Sequence, residues 1–166
     1  MTSIDPAPPQ ARARLATPSV FLATWAGAGF LPGMPGTWAS AAALPFAWVL
    51  VLLGGPWLLV AAAAALFAVG LWASARYMAI TKVHDPGPVV IDEVVGQWLT
   101  LAFIPLNPWA YILGFFLFRV FDVLKPWPVG WVDRRVGGAF GVMIDDVLAA
   151  VYAGIALYLL VYWFWL

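Results

Sequence analysis

Two pairs of adjacent carboxylates are the residues whose types and spacing best suit chemistry in this sequence. Asp92 and Glu93 lie near the start of the apolar stretch VIDEVVGQWLT. Asp145 and Asp146 immediately precede a run of twenty uncharged residues that ends the chain. Carboxylates at the edge of a membrane helix are costly to insert and require compensation. Because hard divalent cations prefer oxygen ligands, a metal ion is one candidate for that compensation.

An alternative explanation of the Asp145 and Asp146 pair is the helix macrodipole, which stabilises negative charge near a helix N-terminus by roughly 0.3–1 kcal/mol. It explains one aspartate more easily than two. Neighbouring residues differ by about 100° around a helix, so we expect only one member of each pair to face the site. Glu93, Gln97 and Thr100 recur at i, i+4 and i+7, which predicts a polar stripe that faces the inside of a bundle.

Asp122 lies three residues after Arg119 and three residues before Lys125, on one face of a predicted helix. One interpretation is an intrahelical salt bridge that neutralises Arg119 and Asp122 for burial. The other is a site where basic side chains bind a phosphoryl group and carboxylates hold a divalent cation. The segment GMPGT, which ends at Thr37, offers a helix N-terminus for a phosphate, or simply a cap. We expect His84 to be a polar loop residue.

Composition places these groups in a membrane protein. Hydrophobic residues make up 64% of the chain and charged residues 10%, and the mean hydropathy is +0.93, far from the averages of soluble proteins. The formal net charge of zero gives no reason to expect nucleic-acid binding. Cysteine is absent, which excludes thiolate metal sites and a cysteinyl-phosphate intermediate.

The apolar runs predict an all-α integral membrane protein, a compact bundle of about five transmembrane helices with a polar site at the cytoplasmic face. We interpret residues 1–18 as a disordered cytoplasmic tail and residues 19–166 as one membrane-embedded catalytic domain. Gly54, Gly55 and Pro56 should turn the first two runs into a helical hairpin. Residues 20–31 are too short for a span and suggest a re-entrant or interfacial piece. The five runs are residues 38–53, 57–75, 94–104, 109–123 and 147–166.

The distribution of charge predicts the orientation of these spans. Basic residues concentrate on the cytoplasmic side of membrane proteins, and the turns GGP and PLNP carry no charge. Every acidic residue except Asp5 lies between positions 85 and 146, so the acids should gather at the same face. The residues expected on the inside are Arg12, Arg14, Arg76, Lys82, Lys125, Arg134 and Arg135. The aromatic residues expected at the two interfaces are Trp38, Trp127 and Trp131 inside, and Trp57, Trp109, Tyr162, Trp163 and Trp165 outside.

Several kinds of chemistry are disfavoured by what the sequence lacks. A phosphatase with a histidine nucleophile needs a second histidine for acid catalysis, and this chain contains a single histidine. Neither an Asp-x-Asp triplet nor the spaced aspartates of CDP-alcohol transferases occur. Metal-assisted phosphoryl transfer remains, with water or a carboxylate as nucleophile. A transporter would hold its carboxylates near the midplane, and a non-catalytic anionic-lipid-binding protein would not need clustered acids.

Four blocks resemble the phosphatidylglycerophosphatase A family: GTWAS at 36–40, DPGPVVIDEVVG at 85–96, FRVFDVLKPWP at 118–128 and DRRVGGAFGVMIDD at 133–146. The resemblance implies a bacterial enzyme of the inner membrane, multi-pass, with its active site facing the cytoplasm. Such enzymes use Mg²⁺ to remove the terminal phosphate of phosphatidylglycerophosphate, which leaves phosphatidylglycerol. The alternative is another membrane lipid-phosphate phosphatase. Ala39 and Ala150 stand where the family pattern leads us to expect glycine.

By the resemblance, acidic residues of this sequence fall on the acidic motif positions of the family and basic residues on its basic ones; the acidic positions are Asp92, Glu93, Asp122, Asp145 and Asp146, and the basic ones Arg119, Lys125 and Arg134. The catalytic residues that we predict are Asp92, Asp122 and Asp145. The predicted metal ligands are Glu93, Asp122, Asp145 and Asp146. The predicted substrate-binding residues are Thr37, Lys82, Arg119, Lys125 and Arg134.

Overall fold

A computed structural model describes residues 15–164, with the last side chain described at Trp163. This part of the chain is all-helical, as predicted, and contains no strand. Residues 1–14, which include most of the predicted tail, and Trp165 lie outside the described residues. The helices are α1 (Pro18–Ala23), α2 (Pro35–Thr81), α3 (Ile91–Leu101), α4 (Pro108–Leu124), α5 (Val129–Arg135) and α6 (Gly138–Phe164), with a 3-10 turn at Ala28–Phe30.

The helix α2 is broken at two glycines near its middle. Gly54 and Gly55 leave helical dihedral angles, and Gly55 adopts a φ of +69°, where a side chain would be strained. We call residues 35–53 the first arm of α2 and residues 56–81 its second arm.

The two arms fold back on each other. A Cβ at Gly36 in the first arm would overlap Glu93 Oε1, and a Cβ at Gly70 in the second arm would lie 3.3 Å from Ile91 Cγ2. Glu93 and Ile91 belong to the same turn of α3, yet a straight helix would separate Gly36 and Gly70 by about 51 Å. The predicted helical hairpin is therefore confirmed.

Two helices, α2 and α6, are long and apolar enough to cross a membrane. The helices α3 and α4 have 11 and 17 residues, which corresponds to about 16 and 25 Å against a hydrocarbon thickness of about 30 Å. The two helices correspond to the apolar runs at residues 94–104 and 109–123. The segment at residues 20–31 forms only the end of α1 and the 3-10 turn, neither of which is long enough to span.

The short helix α3 forms the centre of the molecule, packed against α2, α4 and α6. A Cβ at Gly96 would lie 2.5 Å from the ring of Phe118 in α4 and 3.0 Å from the carbonyl oxygen of Asp146 in α6. This glycine therefore permits both neighbours to approach closely. Trp98 Nε1 donates a hydrogen bond to the carbonyl of Ala43 in the first arm, at 3.0 Å. These contacts hold the first turn of α3, with its two carboxylates, against three other helices.

Candidate active site

Three carboxylates from two helices meet at the first turn of α3. One oxygen each from Asp92, Glu93 and Asp146 lies within 4.8 Å of the others, and we call these residues the carboxylate cluster. Asp92 and Asp146 are 7% and 4% exposed, and the Glu93 side chain is 16% exposed. The Glu93 backbone N–H donates to Asp92 Oδ1 at 3.1 Å. The close approach of α6 to Gly96 is what brings Asp146 to this turn.

The expectation that only one member of each acidic pair serves the site is wrong for Asp92 and Glu93. Side chains in a helix tilt towards its N-terminus, so in the first turn both carboxylates reach past the helix end to the same point. In the second pair, which lies inside α6, both carboxylates line the same cavity, so the expectation is wrong there too, although the two side chains have different partners. There Asp146 joins the cluster, while Asp145 turns away to Lys125.

The cluster has the properties of a site for a hard divalent cation. Buried carboxylates at this separation repel one another strongly unless a positive charge offsets them. Glu93 Oε2 and Asp146 Oδ2 are buried and have no hydrogen-bond partner within the described part of the chain, although buried polar atoms are nearly always paired. The donor set, all carboxylate oxygen, is of the kind that Mg²⁺ prefers. These residues therefore fit the predicted ion.

Arg119 lies behind the cluster and pairs with Asp122 in the same helix. Its Nη1 is 2.6 Å from Asp122 Oδ2 and 3.9 Å from Glu93 Oε1. The intrahelical salt bridge, one of the two sequence interpretations, is thus present. Both side chains are largely buried, at 15% and 12% exposure. Arg119 consequently supplies positive charge to the cluster from inside the bundle.

Lys125 lies on the other side and bridges α5 and α6. Its Nζ donates to Asp133 Oδ1, and to Asp145 Oδ2 at 2.7 Å. Burial lowers the pKa of Lys125, but the hydrogen bonds to both carboxylates outweigh it and hold the pKa above its ordinary value. The lysine therefore stays cationic at neutral pH. It ends α4 in a left-handed conformation, with a φ of +43°, which turns the chain towards α5.

A cavity of ≈ 360 Å³ opens above the carboxylate cluster. Lys125 is the only lysine or arginine among the described residues that line it, and His84 also contributes. A phosphate in this cavity would meet many more negative than positive side chains, so a cation must accompany it. The acidic residues of the lining are Asp85, Asp92, Glu93, Asp122, Asp133, Asp145 and Asp146.

Four of the predicted substrate-binding residues lie outside the cavity lining. Thr37 is half-buried in the first turn of α2, and its hydroxyl has no hydrogen-bond partner among the described residues. Lys82 is the exposed residue that ends α2. Arg134 is exposed in the last turn of α5. Substrate binding by these three residues and by the ion-paired Arg119 therefore stays a prediction. Of the five predicted substrate-binding residues, Lys125 alone lines the cavity.

Sequence reasoning did not select Asp133, Asp85 or Gly36 for the site. Asp133 lies in α5 whereas Lys125 ends α4, so the two belong to different helices and the turn between α4 and α5 brings them together. Asp85 and Gly36 begin two of the motif blocks. Their places at the start of these blocks were the sequence signal that could have assigned them to the site. The side chain of His84, expected as a loop residue, lies in a loop and faces the cavity.

Known proteins resemble this chain over most of its length. The family model described as Phosphatidylglycerophosphatase A matches residues 21–161. Phosphatidylglycerophosphatase A of Escherichia coli (strain K12) is 38% identical over 151 residues, which cover 90% of this chain and 87% of the relative. Its namesake in Haemophilus influenzae is 40% identical over 156 residues, which cover 93% and 96%.

A more distant relative carries a different name. A Bacteroides thetaiotaomicron protein with the provisional name phosphatidylinositol-3-phosphatase is 37% identical over 142 residues, which cover 81% of this chain and 87% of the relative. No solved structure matches the chain.

The close approach of Gly36 to Glu93 generates a testable prediction. A Cβ at this position would displace the end of the Glu93 side chain, while the alanine itself favours the helix. We expect Gly36→Ala to lower phosphate release from phosphatidylglycerophosphate about a hundredfold, the scale of a 1 Å misplacement, with little change in the melting temperature in detergent.

Gly87→Ala is the matched control, because Gly87 lines the same cavity and a Cβ there would meet nothing within 4 Å. This variant should behave as the wild type. Wild-type turnover in Gly36→Ala would show that Glu93 need not occupy its observed position.

Proposed function

The chain belongs to the phosphatidylglycerophosphatase A family, and we propose that it hydrolyses the terminal phosphate monoester of phosphatidylglycerophosphate, giving phosphatidylglycerol and inorganic phosphate. The observation that carries this proposal is the carboxylate cluster at the base of a cavity that also presents Lys125. Anionic ligands for a cation and one ammonium group are what a phosphoryl-transfer site needs.

We propose that Asp92, Glu93 and Asp146 hold Mg²⁺, with Asp122 and Asp145 as further carboxylates at the edge of the site. A divalent cation bound there would polarise the phosphoryl group and favour deprotonation of an attacking water. Two buried carboxylate oxygens without a hydrogen-bond partner in the described structure support this assignment. Arg119 keeps Asp122 and Glu93 in place through its ion pairs.

Lys125 is suited to bind a phosphoryl oxygen. The Asp133 side chain that it contacts is 36% exposed, whereas the Asp145 side chain is 7% exposed. The exposed partner can give way to a phosphate oxygen, and the buried partner then keeps the ammonium group aimed into the cavity. The charge that Lys125 contributes stabilises the negative charge on the equatorial oxygens as the phosphoryl group transfers.

The attacking group in this proposal is a water molecule or a carboxylate of the site. Asp92, Asp122 and Asp145 line the cavity and are the candidates for the general base or the nucleophile. The leaving group is the alcohol oxygen of the lipid glycerol, which accepts a proton as its bond to phosphorus breaks.

Phosphate release from purified protein tests the activity directly. Phosphatidylglycerophosphate should be hydrolysed faster than phosphatidic acid or phosphatidylinositol 3-phosphate, each presented in the same detergent micelles. The third lipid is included because of the name of the Bacteroides relative. Preferential hydrolysis of either comparison lipid would contradict the proposed substrate.

Metal dependence is the second test of this function. Chelation should abolish phosphate release, and added Mg²⁺ should restore it, because the cluster carboxylates repel one another without a cation. Asp146→Asn removes a charge but preserves volume, so the Mg²⁺ concentration for half-activity should rise at least about tenfold.

Asp85→Asn is the control for this measurement, since Asp85 is exposed at the same cavity outside the cluster. Its Mg²⁺ requirement should match that of the wild type. Full activity in excess chelator, or equal shifts in the two variants, would refute the metal assignment.

We also propose that the two arms of α2 together with α3, α4 and α6 form five spans in the bacterial inner membrane, with the cavity facing the cytoplasm. Three basic residues lie at the end of the helix bundle that holds the cavity. Lys82 follows the second arm, Lys125 follows α4, and Arg135 is the last residue of α5. The uncharged turns meet at the other end, where Pro56 and Pro105 line one depression. This separation of charge supports the orientation.

Thiol labelling in intact cells tests this topology, and the absence of native cysteine removes background. A cysteine at the exposed Pro105 should react with a membrane-impermeant reagent from outside. A cysteine at the exposed Arg135 should react only after the cells are permeabilised. The reverse pattern would contradict the orientation.

A further inference from the structure

An apolar groove of ≈ 310 Å³ runs between the second arm of α2 and α6, with α3 as its floor. No charged residue of the described chain lines it. The α2 wall includes Ala64 and Phe67, the α6 wall Ile144 and Val147, and the floor Val95 and Leu99. The groove is therefore suited to a hydrocarbon ligand.

The groove begins one helical turn from the carboxylate cluster. Asp92, Val95 and Leu99 follow one another at i, i+3 and i+7, so they lie on one stripe of α3. Val95 and Leu99 are about 4.5 and 10 Å beyond Asp92 along the helix axis. On the facing helix, groove-lining Val147 directly follows cluster residue Asp146.

Other apolar depressions on the described surface lie farther from the cluster. One between α3 and α6 begins at Leu99 and Thr100, about two turns beyond Asp92. Another is lined by Pro105, in the turn between α3 and α4, and a third by Pro108, the first residue of α4. Among these depressions of the described surface, the groove beside Val95 and Val147 is the one that adjoins the carboxylate cluster.

Met143 lies between the cavity and the groove. On α6 it comes between Val142, which lines the cavity, and Ile144, which lines the groove. Its side chain is fully buried and packs towards Gly70. Methionine is unbranched and adapts readily to a new neighbour, so this contact can rearrange around a ligand that extends from one space to the other.

We propose that this groove binds one acyl chain of the lipid substrate while the terminal phosphate lies at the carboxylate cluster. The inference rests on the proposed function, because that function supplies a ligand with a phosphate at one end and hydrocarbon at the other. The bilayer interior and the groove are equally apolar surroundings for an acyl chain, so the hydrophobic effect contributes little to binding in the groove. The groove instead fixes the position of the lipid by close packing, which orients its phosphate.

The test compares two neighbouring alanines in the second arm, both exposed. Ala64 lines the groove and Ala65 does not, so Ala64→Phe fills the groove and Ala65→Phe is the matched control. Hydrolysis of dioleoyl and dihexanoyl phosphatidylglycerophosphate is measured in the same micelles. Ala64→Phe should lower the ratio of the dioleoyl to the dihexanoyl kcat/KM value about tenfold, because the longer chain loses the packed position that orients its phosphate.

Ala65→Phe should leave this ratio at its wild-type value. An unchanged ratio in Ala64→Phe, or the same fall in both variants, would overturn the proposal. A wild-type protein that hydrolyses neither lipid would refute the proposed function instead.

Photo-crosslinking tests the groove independently of turnover and of the variants' stability. A phosphatidylglycerophosphate with a diazirine in one acyl chain should label Val95 or Val147 of the wild type, which line the groove and not the depression that begins at Leu99. Labelling confined to other surfaces would overturn the groove assignment even if the enzyme is active.

Discussion

Repulsion among buried carboxylates is the interaction on which the organisation of this protein depends. Asp92, Glu93 and Asp146 are brought within 4.8 Å of one another by the contact of α3 with α6. Such an arrangement is unfavourable in a medium of low dielectric constant. Helix packing at Gly96 and Trp98 holds the carboxylates together despite this repulsion, which leaves a strong local preference for a cation.

Two basic residues form ion pairs with three acidic residues outside the cluster. Arg119 pairs with Asp122 inside the bundle, and Lys125 pairs with Asp133 and Asp145 at the cavity. Within the described chain the cluster has only one basic group nearby, Arg119 at 3.9 Å from Glu93. Among the buried acids of the described chain, Asp92 and Asp146 form no ion pair, and these two converge with Glu93. This pairing leaves the cluster carboxylates available for the proposed cation and places the Lys125 ammonium group beside them for the proposed phosphate.

Much of the architecture followed from local sequence signals. Two glycines and a proline predicted the hairpin, and the 100° step between neighbours gives Asp145 and Asp146 different partners, although both line the cavity. The same geometry was wrong for Asp92 and Glu93, because a first turn lets both side chains reach past the helix end. The contact of Lys125 with Asp133 and the approach of Gly36 to Glu93 depend on how helices cross and turn. The periodicity of a single sequence predicts which residues share a face of one helix, but it does not predict how two helices cross.

Ion binding by the carboxylate cluster is the central claim, and Mn²⁺ titration of the purified protein in detergent measures it without any substrate. Electron paramagnetic resonance reports free Mn²⁺, so binding appears as loss of that signal. The wild type should bind Mn²⁺ saturably, Mg²⁺ should displace it, and Glu93→Gln should weaken the binding at least about tenfold because a charged ligand is lost. Asp85→Asn should bind as the wild type does. Absence of saturable Mn²⁺ binding to the folded wild type, or identical binding by Glu93→Gln, would contradict the account.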